Sequence, residues 1–202
     1  MLDRIRLKTK GFLVKDNVLP EIVLHDMRLF VLYEPTIHTK YDGGYVAKDY
    51  DEKPGCQFTS ARIAALLQES IPLLKRYKYC RAWSFLYDEV CAGTGIHADP
   101  SFLQVNLWVT LDKCIIDPVK NGLILYNKKA PSHWTWDDYN NNIEKIQDFL
   151  KNSKGEVIAN NIPYRYNRCV IFPGNTFHQT AGAQTIKGHL NKRINFTYLF
   201  KK

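Results

Sequence analysis

The stretch Gly95-Ile96-His97-Ala98-Asp99-Pro100 runs on, after Ser101-Phe102, into Leu103-Gln104-Val105-Asn106-Leu107-Trp108-Val109-Thr110-Leu111. The second part alternates. Val105, Leu107 and Val109 fall on one side, and Gln104, Asn106 and Trp108 on the other. Side chains of an extended chain point to opposite faces with a period of two, so this is the pattern of a strand buried against something. The same period places His97 and Asp99, two residues apart, on one side of an extended backbone.

Working outward, residues 82–90 alternate Trp83, Phe85 and Tyr87 against Ser84, Leu86 and Asp88, and reach the His97 stretch through the turn Ala92-Gly93-Thr94-Gly95. Residues 122–126, 157–158, 168–172, 176–180 and 193–200 read as further strands, with turns at Asp117-Pro118, Asn121-Gly122 and Pro173-Gly174-Asn175. Residues 130–154 interrupt them. There Ile143, Ile146, Phe149 and Leu150 recur at helical spacing, behind a segment whose Trp134 and Trp136 form either a lid or part of a core. Many short strands with turn signals between them predict a mainly β protein with flanking helices, a jelly-roll sandwich or barrel.

Upstream, residues 27–33 are rich in strand formers and read as a strand. Residues 34–58, with Pro35, Gly43-Gly44, Pro54 and Gly55, read as one long loop from which Tyr41, Tyr45 and Tyr50 could cover a site. Thr59 or Ser60 is placed to cap a helix running to about residue 79. Its apolar positions are Ile63, Leu66, Leu67, Ile71 and Leu74, and Pro72 is placed to kink or divide it. The organisation expected is a single domain over 1–202, with a β core at about 80–200 and a helix-and-loop support over 1–79.

The chain has 202 residues, 45% hydrophobic and 24% charged, the composition of an ordinary globular protein. Its net charge of +8 comes from basic residues scattered along the sequence, which fits a solvated surface better than a nucleic-acid-binding patch. Five cysteines, Cys56, Cys80, Cys91, Cys114 and Cys169, contain no CxxC pair and suggest free thiols in a reducing cytoplasm. No signal peptide is evident, and no apolar run approaches the roughly 20 residues a membrane span needs. Oligomeric state is not legible.

A third residue turns the His97–Asp99 pair into chemistry. His178 follows the Pro173-Gly174 turn, and two histidines with one carboxylate form a metal-binding set that leaves positions open. Taken singly, each has a plainer reading, since Asp99 before Pro100 is also a common turn starter. Arg193 opens the last strand, and Arg193-Ile194-Asn195-Phe196-Thr197 follows His178 in order. The ordered set His97-x-Asp99, His178 and Arg193 resembles the Fe(II)- and 2-oxoglutarate-dependent oxygenases, over roughly residues 80–200.

That resemblance implies the double-stranded β-helix form of the jelly roll. It also implies a dioxygenase that binds Fe(II), 2-oxoglutarate and O2, hydroxylates a small-molecule or amino-acid-type substrate, and releases succinate and carbon dioxide. His97, Asp99 and His178 would hold the metal. Arg193 and Asn195 would bind the distal carboxylate of 2-oxoglutarate, with Asn106 and Tyr87 as further contacts. Lys187, nearer His178, is the rival to Arg193. The intact Asp99 favours hydroxylation over halogenation. Two other readings stay open: a metal-binding cupin-like module without oxygenase activity, and a nucleic-acid demethylase of the alkylation-repair type.

Overall fold

The computed structural model describes residues 2–33, 39–50 and 56–202, with the side chains of the last segment described from residue 59. Parts of the predicted 34–58 loop, and the side chain of Cys56, lie outside the described residues. The elements in order are α1 (Leu2–Lys10), β1 (Leu13–Asp16), α2 (Glu21–Tyr33), β2 (Thr39–Tyr41), β3 (Tyr45–Asp49), α3 (Cys56–Ser70), β4 (Lys78–Tyr87), β5 (Val90–Cys91) and β6 (Leu103–Trp108). They continue with β7 (Leu123–Lys129), α4 (Trp136–Asn140), α5 (Ile143–Asn152), β8 (Ala159–Ile162), β9 (Arg168–Phe172), β10 (Thr176–Thr180), β11 (Ala183–Gln184) and β12 (Ile194–Lys201).

Seven strands form the larger sheet, in the order β1-β9-β6-β12-β4-β3-β2, and every neighbouring pair is antiparallel. A smaller sheet, β10-β7-β8, and the pair β11-β5 face it. The fold is a double-stranded β-helix carrying helices on its outer side and a helical insert between β7 and β8.

The alternation in β6 sorts the two faces as its sequence requires. Leu103, Val105 and Leu107 point to the helices, joining Ile194, Phe196, Tyr198 and Phe200 of β12 and Leu24, Met27, Val31, Leu67 and Leu74 in one core. Trp108, with Val170 and Phe172 of β9, points the other way, onto Leu123, Leu125 and Ile162 of the smaller sheet. Each fully buried Leu or Phe contributes about 2 kcal/mol, so the register of these strands is strongly fixed.

Three expectations for the amino-terminal part are corrected. Residues 27–33 are helical, the second half of α2, in which Leu24, Met27, Val31 and Leu32 are buried at spacings of three and four. A window of seven residues was too short to separate a period of 3.6 from an imperfect period of two. The segment before residue 79 is also more than helix and loop, because β1 pairs with β9 and β3 pairs with β4. Gly43-Gly44, read as a loop signal, turns the hairpin between β2 and β3, and Gly44 takes the positive φ of 78° that glycine adopts without strain.

The predicted long helix ends at Ser70. Pro72, which lacks a backbone donor, starts a separate 3-10 turn over Pro72–Arg76, and the chain is already in β4 by Lys78. The helix also starts earlier than expected, so Thr59 and Ser60 lie inside it. The predicted strand at 157–158 is displaced to β8. Among the described residues, no helix is long and apolar enough to cross a membrane.

Candidate metal centre

His97, Asp99 and His178 come together, their nearest donor atoms all within 4.8 Å of one another. The backbone builds this. His97 and His178 form an isolated antiparallel bridge, and Asp99 N donates to Gly174 O at 2.8 Å, which ties the stretch to the turn before β10. The close turn needs Gly174, because a Cβ there would lie 2.1 Å from Ser101 Oγ. The insert supports the other side. Ala98 N donates to Tyr139 O at 2.9 Å, Asn140 Nδ2 donates to Ala98 O at 3.0 Å, and Ala98 packs among Ile146, Leu150 and Phe177.

Each imidazole is presented by the atom a metal would need. His97 Nδ1 donates to Gly95 O at 2.8 Å, and His178 Nδ1 donates to Thr176 O at 2.9 Å. A carbonyl oxygen only accepts, so both rings carry their proton on Nδ1 and turn an Nε2 lone pair inward. Burial, with the neighbouring His178 next in weight, pushes the pKa of His97 down to about 4, which keeps that ring neutral at ordinary pH. Burial pushes the Asp99 carboxyl up. The contacts with His178, His97 and Gln104 outweigh burial and hold it below the ordinary carboxylate range, so it is an anion.

Asp99 is 5% exposed, and its Oδ2 has no hydrogen-bond partner, although His178 Nε2 stands 3.4 Å away. A buried carboxylate oxygen with no hydrogen-bond partner among the described residues, beside two imidazoles that turn Nε2 inward, is a donor set suited to a divalent transition metal. An ion held at about 2.1 Å from each donor spans atoms up to roughly 4.2 Å apart, so a small side-chain adjustment closes the cluster on it.

The chamber beyond the cluster is polar. Asn106, Thr180 and Asn195 line it together with Trp83, Phe85 and Gln104, and its free volume is only about 10 Å³. Arg193 is 1% exposed and lies behind this lining. Its Nε donates to Asn121 O at 3.1 Å and its Nη1 to Asn195 Oδ1 at 2.8 Å. Its guanidinium carbon stands 4.4 Å from the Tyr87 ring centroid. Among the described residues no carboxylate pairs with it. Burying a cation costs several kcal/mol unless it is compensated, so its setting suits an acidic ligand.

The structure thus brings His97, Asp99 and His178 into one cluster and gathers Arg193, Asn195, Asn106 and Tyr87 on the sheet beside it. Tyr87 is fully buried beside Arg193. Its hydroxyl is engaged with Thr180 Oγ1 at 3.0 Å, and its ring covers the guanidinium of Arg193. Lys187 is exposed on the loop between β11 and β12, away from the chamber. Of the three tyrosines expected near the site, Tyr45 lies against Tyr87 at 5.5 Å and Tyr41 stacks on Tyr45. Tyr50 is on the opposite face of the sheet, bonded to Ser84 Oγ. Trp134 packs on Phe149 and Phe177, whereas Trp136 is exposed, so only the first belongs to a core. Burial raises the pKa of the Cys91 thiol, which disfavours its thiolate.

Gln104, Thr94 and Thr180 were missed. Gln104 and Thr180 share a signal, since each lies two residues along a strand from a site residue, Asn106 and His178 respectively. Thr94 carries none; it is bound to Thr180 from a different loop, at 2.9 Å from Thr180 N.

No sequence-family model matches the chain, and no curated protein sequence matches it. Solved structures do match in fold. The 2-oxoglutarate-dependent non-haem epimerase SnoN from nogalamycin biosynthesis superposes with a TM-score of 0.64 at 15% identity, over 98% of this chain and 81% of that one. HygX from Streptomyces hygroscopicus, with nickel and 2-oxoglutarate bound, also gives 0.64, at 10% identity over 99% and 86%. A Pseudomonas putida prolyl-4-hydroxylase gives 0.58 at 12% identity, over 100% and 99%. The chain has the double-stranded β-helix fold of the iron- and 2-oxoglutarate-dependent oxygenases.

Proposed function

We propose that this chain is an Fe(II)- and 2-oxoglutarate-dependent dioxygenase that hydroxylates a small-molecule or amino-acid-type substrate and releases succinate and carbon dioxide. One observation carries the reading. A two-histidine, one-carboxylate cluster whose buried carboxylate oxygen has no partner among the described residues stands beside a buried arginine that pairs with no carboxylate among them. In this reading His97, Asp99 and His178 hold the metal and Arg193 receives the distal carboxylate of 2-oxoglutarate. Asn195 accepts from Arg193 through Oδ1, and Asn106 offers a buried Oδ1 that has no partner among the described residues. Bound iron and 2-oxoglutarate would supply the oxidising chemistry. The chain's own share is to keep both imidazoles in one tautomer, to hold Asp99 anionic and to exclude water.

The bound nickel and 2-oxoglutarate in HygX support this cofactor pair. An epimerase and a carbocyclase also share the fold, as does a prolyl-4-hydroxylase. The intact Asp99 weighs against halogenation only, so the choice of hydroxylation among the other reactions is the part that product analysis must test. The test is anaerobic addition of Fe(II) and then 2-oxoglutarate, followed by admission of oxygen. The reading expects the weak visible charge-transfer band of the chelate and formation of succinate; no band and no turnover would sink it. One observation favours a second reading, a metal-binding module indifferent to 2-oxoglutarate. The chamber has room for far less than a five-carbon dicarboxylate unless side chains such as Trp83 and Phe85 move. That reading expects metal binding by the same three residues with no response to 2-oxoglutarate.

A further inference from the structure

A second cavity, of about 880 Å³, lies between α1, the 3-10 turn after α3 and the turn joining β9 to β10, and it shares no lining residue with the metal chamber. Five cations line it: Arg4, Lys8 and Lys10 from the amino-terminal segment, Lys129 from the end of β7, and Lys202. Among the described residues no aspartate or glutamate does. None of the five makes an ion pair among the described residues, and the nearby Asp3 is engaged by Lys15 at 2.9 Å. These cations come from separate parts of the sequence, which is why its scattered lysines looked like ordinary surface.

The helix that closes the cavity is oriented for a polar occupant. Arg4, Leu7 and Lys8 fall at i, i+3 and i+4, on one face of α1, and all three line the cavity. Of its apolar residues only Leu7 packs, half-buried, against the core, whereas Leu2 and Ile5 are 71% and 51% exposed, and no residue of α1 is buried. A short helix docked by the hydrophobic effect alone would turn its apolar residues inward. The cavity lining adds Thr176, 7% exposed, and Ser101, whose buried hydroxyl oxygens have no hydrogen-bond partner among the described residues. Five like charges around a concave surface repel one another and focus a positive potential into it. A multiply charged anion bound there would offset that repulsion.

We propose that this cavity is a binding site for a phosphate-bearing small molecule, separate from the metal centre. The test is calorimetric titration of the full chain with inorganic tripolyphosphate, with ATP and adenosine as parallel arms. The expected result is saturable binding of one equivalent of tripolyphosphate and of ATP, but not of adenosine. Binding should weaken at least tenfold in Arg4→Ala/Lys8→Ala/Lys129→Ala. It should change less than threefold in Lys113→Ala/Lys120→Ala/Lys151→Ala, which removes the same charge elsewhere, and in His97→Ala, which disables the metal cluster. Absence of saturable binding overturns the proposal. So does equal weakening by both triple variants, which would mark diffuse electrostatic attraction, or loss of binding in His97→Ala, which would place the anion at the metal cluster. Binding of a single-stranded RNA without binding of tripolyphosphate overturns it in favour of a nucleic-acid surface.

Discussion

His97 and His178 exchange both of their backbone hydrogen bonds, His97 N to His178 O and His178 N to His97 O, each at 2.9 Å. Two strands paired in this way present directly opposed side chains to the same face of the ladder. The ring centroids stand 4.3 Å apart as a result. The backbone therefore sets the spacing of the two imidazoles, and their Nδ1 bonds to carbonyls set which nitrogen is offered.

Removing either imidazole should abolish tight metal binding. His97→Ala and His178→Ala are expected to weaken Ni(II) binding at least 100-fold by calorimetry, with the far-ultraviolet circular dichroism unchanged. Asp99→Asn keeps the shape but loses the charge and should weaken it about tenfold or more. A histidine variant that binds nickel within threefold of the parent would remove that residue from the ligand set.

Arg193 should separate cosubstrate from metal. Arg193→Ala is expected to raise the dissociation constant for 2-oxoglutarate at least 30-fold, a loss of about 2 kcal/mol, while Ni(II) affinity stays within threefold. Arg193→Lys keeps the charge but cannot reproduce the planar fork and should fall between the two. Equal 2-oxoglutarate affinity in all three proteins would assign the distal carboxylate to another group.

Asn167 should be among the costliest single positions for stability. It is 3% exposed and adopts a positive φ of 57°. Its Oδ1 accepts from Val18 N and Leu19 N at 2.9 and 3.0 Å, and its Nδ2 donates to Leu19 O at 2.8 Å. Asn167→Ala loses three buried bonds and adds left-handed strain, together about 3 kcal/mol or more. Asn167→Gly relieves the strain alone and should be less harmful. Denaturant midpoints in the reverse order would contradict this account.

Asp16 should give an acid-sensitive contribution. The hydrogen bond from Arg168 holds its carboxyl below the ordinary value of 3.8, burial works against this, and the charges of Arg168 and Arg165 add to it. A carboxyl with a depressed folded-state pKa stabilises the fold fully above its unfolded value and loses that contribution as pH falls through the folded value. The group is partly exposed, so the effect is about 1 kcal/mol. Asp16→Asn should therefore melt earlier than the parent at pH 7, and the gap should shrink once pH drops below 3.8. A gap independent of pH would point to packing rather than charge.

The parts of the fold legible in the sequence are those where local pattern and tertiary role coincide. β6 and β12 put an apolar row on the helices, Leu103, Val105 and Leu107 in one and Ile194, Phe196, Tyr198 and Phe200 in the other, so their alternation survives in the residues themselves. β9, buried on both faces, survives as a continuous apolar run. The amphipathic α5 buries Ile146 and Leu150 and was equally plain. Where β3 lies near the sheet edge its alternation is weak, and the Gly43-Gly44 turn outweighed it. α2 was misread because its apolar residues are dense enough to imitate a strand over a short window.

The candidate site divides along the same line. By itself the sequence determined which donors exist and that His97 and Asp99 share a side, because strand period is a local property of the backbone. It also ordered His178 and Arg193 behind them. Only the tertiary structure decided that His178 meets His97 across a bridge, that Arg193 rather than Lys187 is buried beside the chamber, and that Arg4, Lys8, Lys10, Lys129 and Lys202 surround one cavity. The physical reason is that donor geometry, burial and electrostatic focusing depend on distances between residues far apart in the chain, and folding sets those distances.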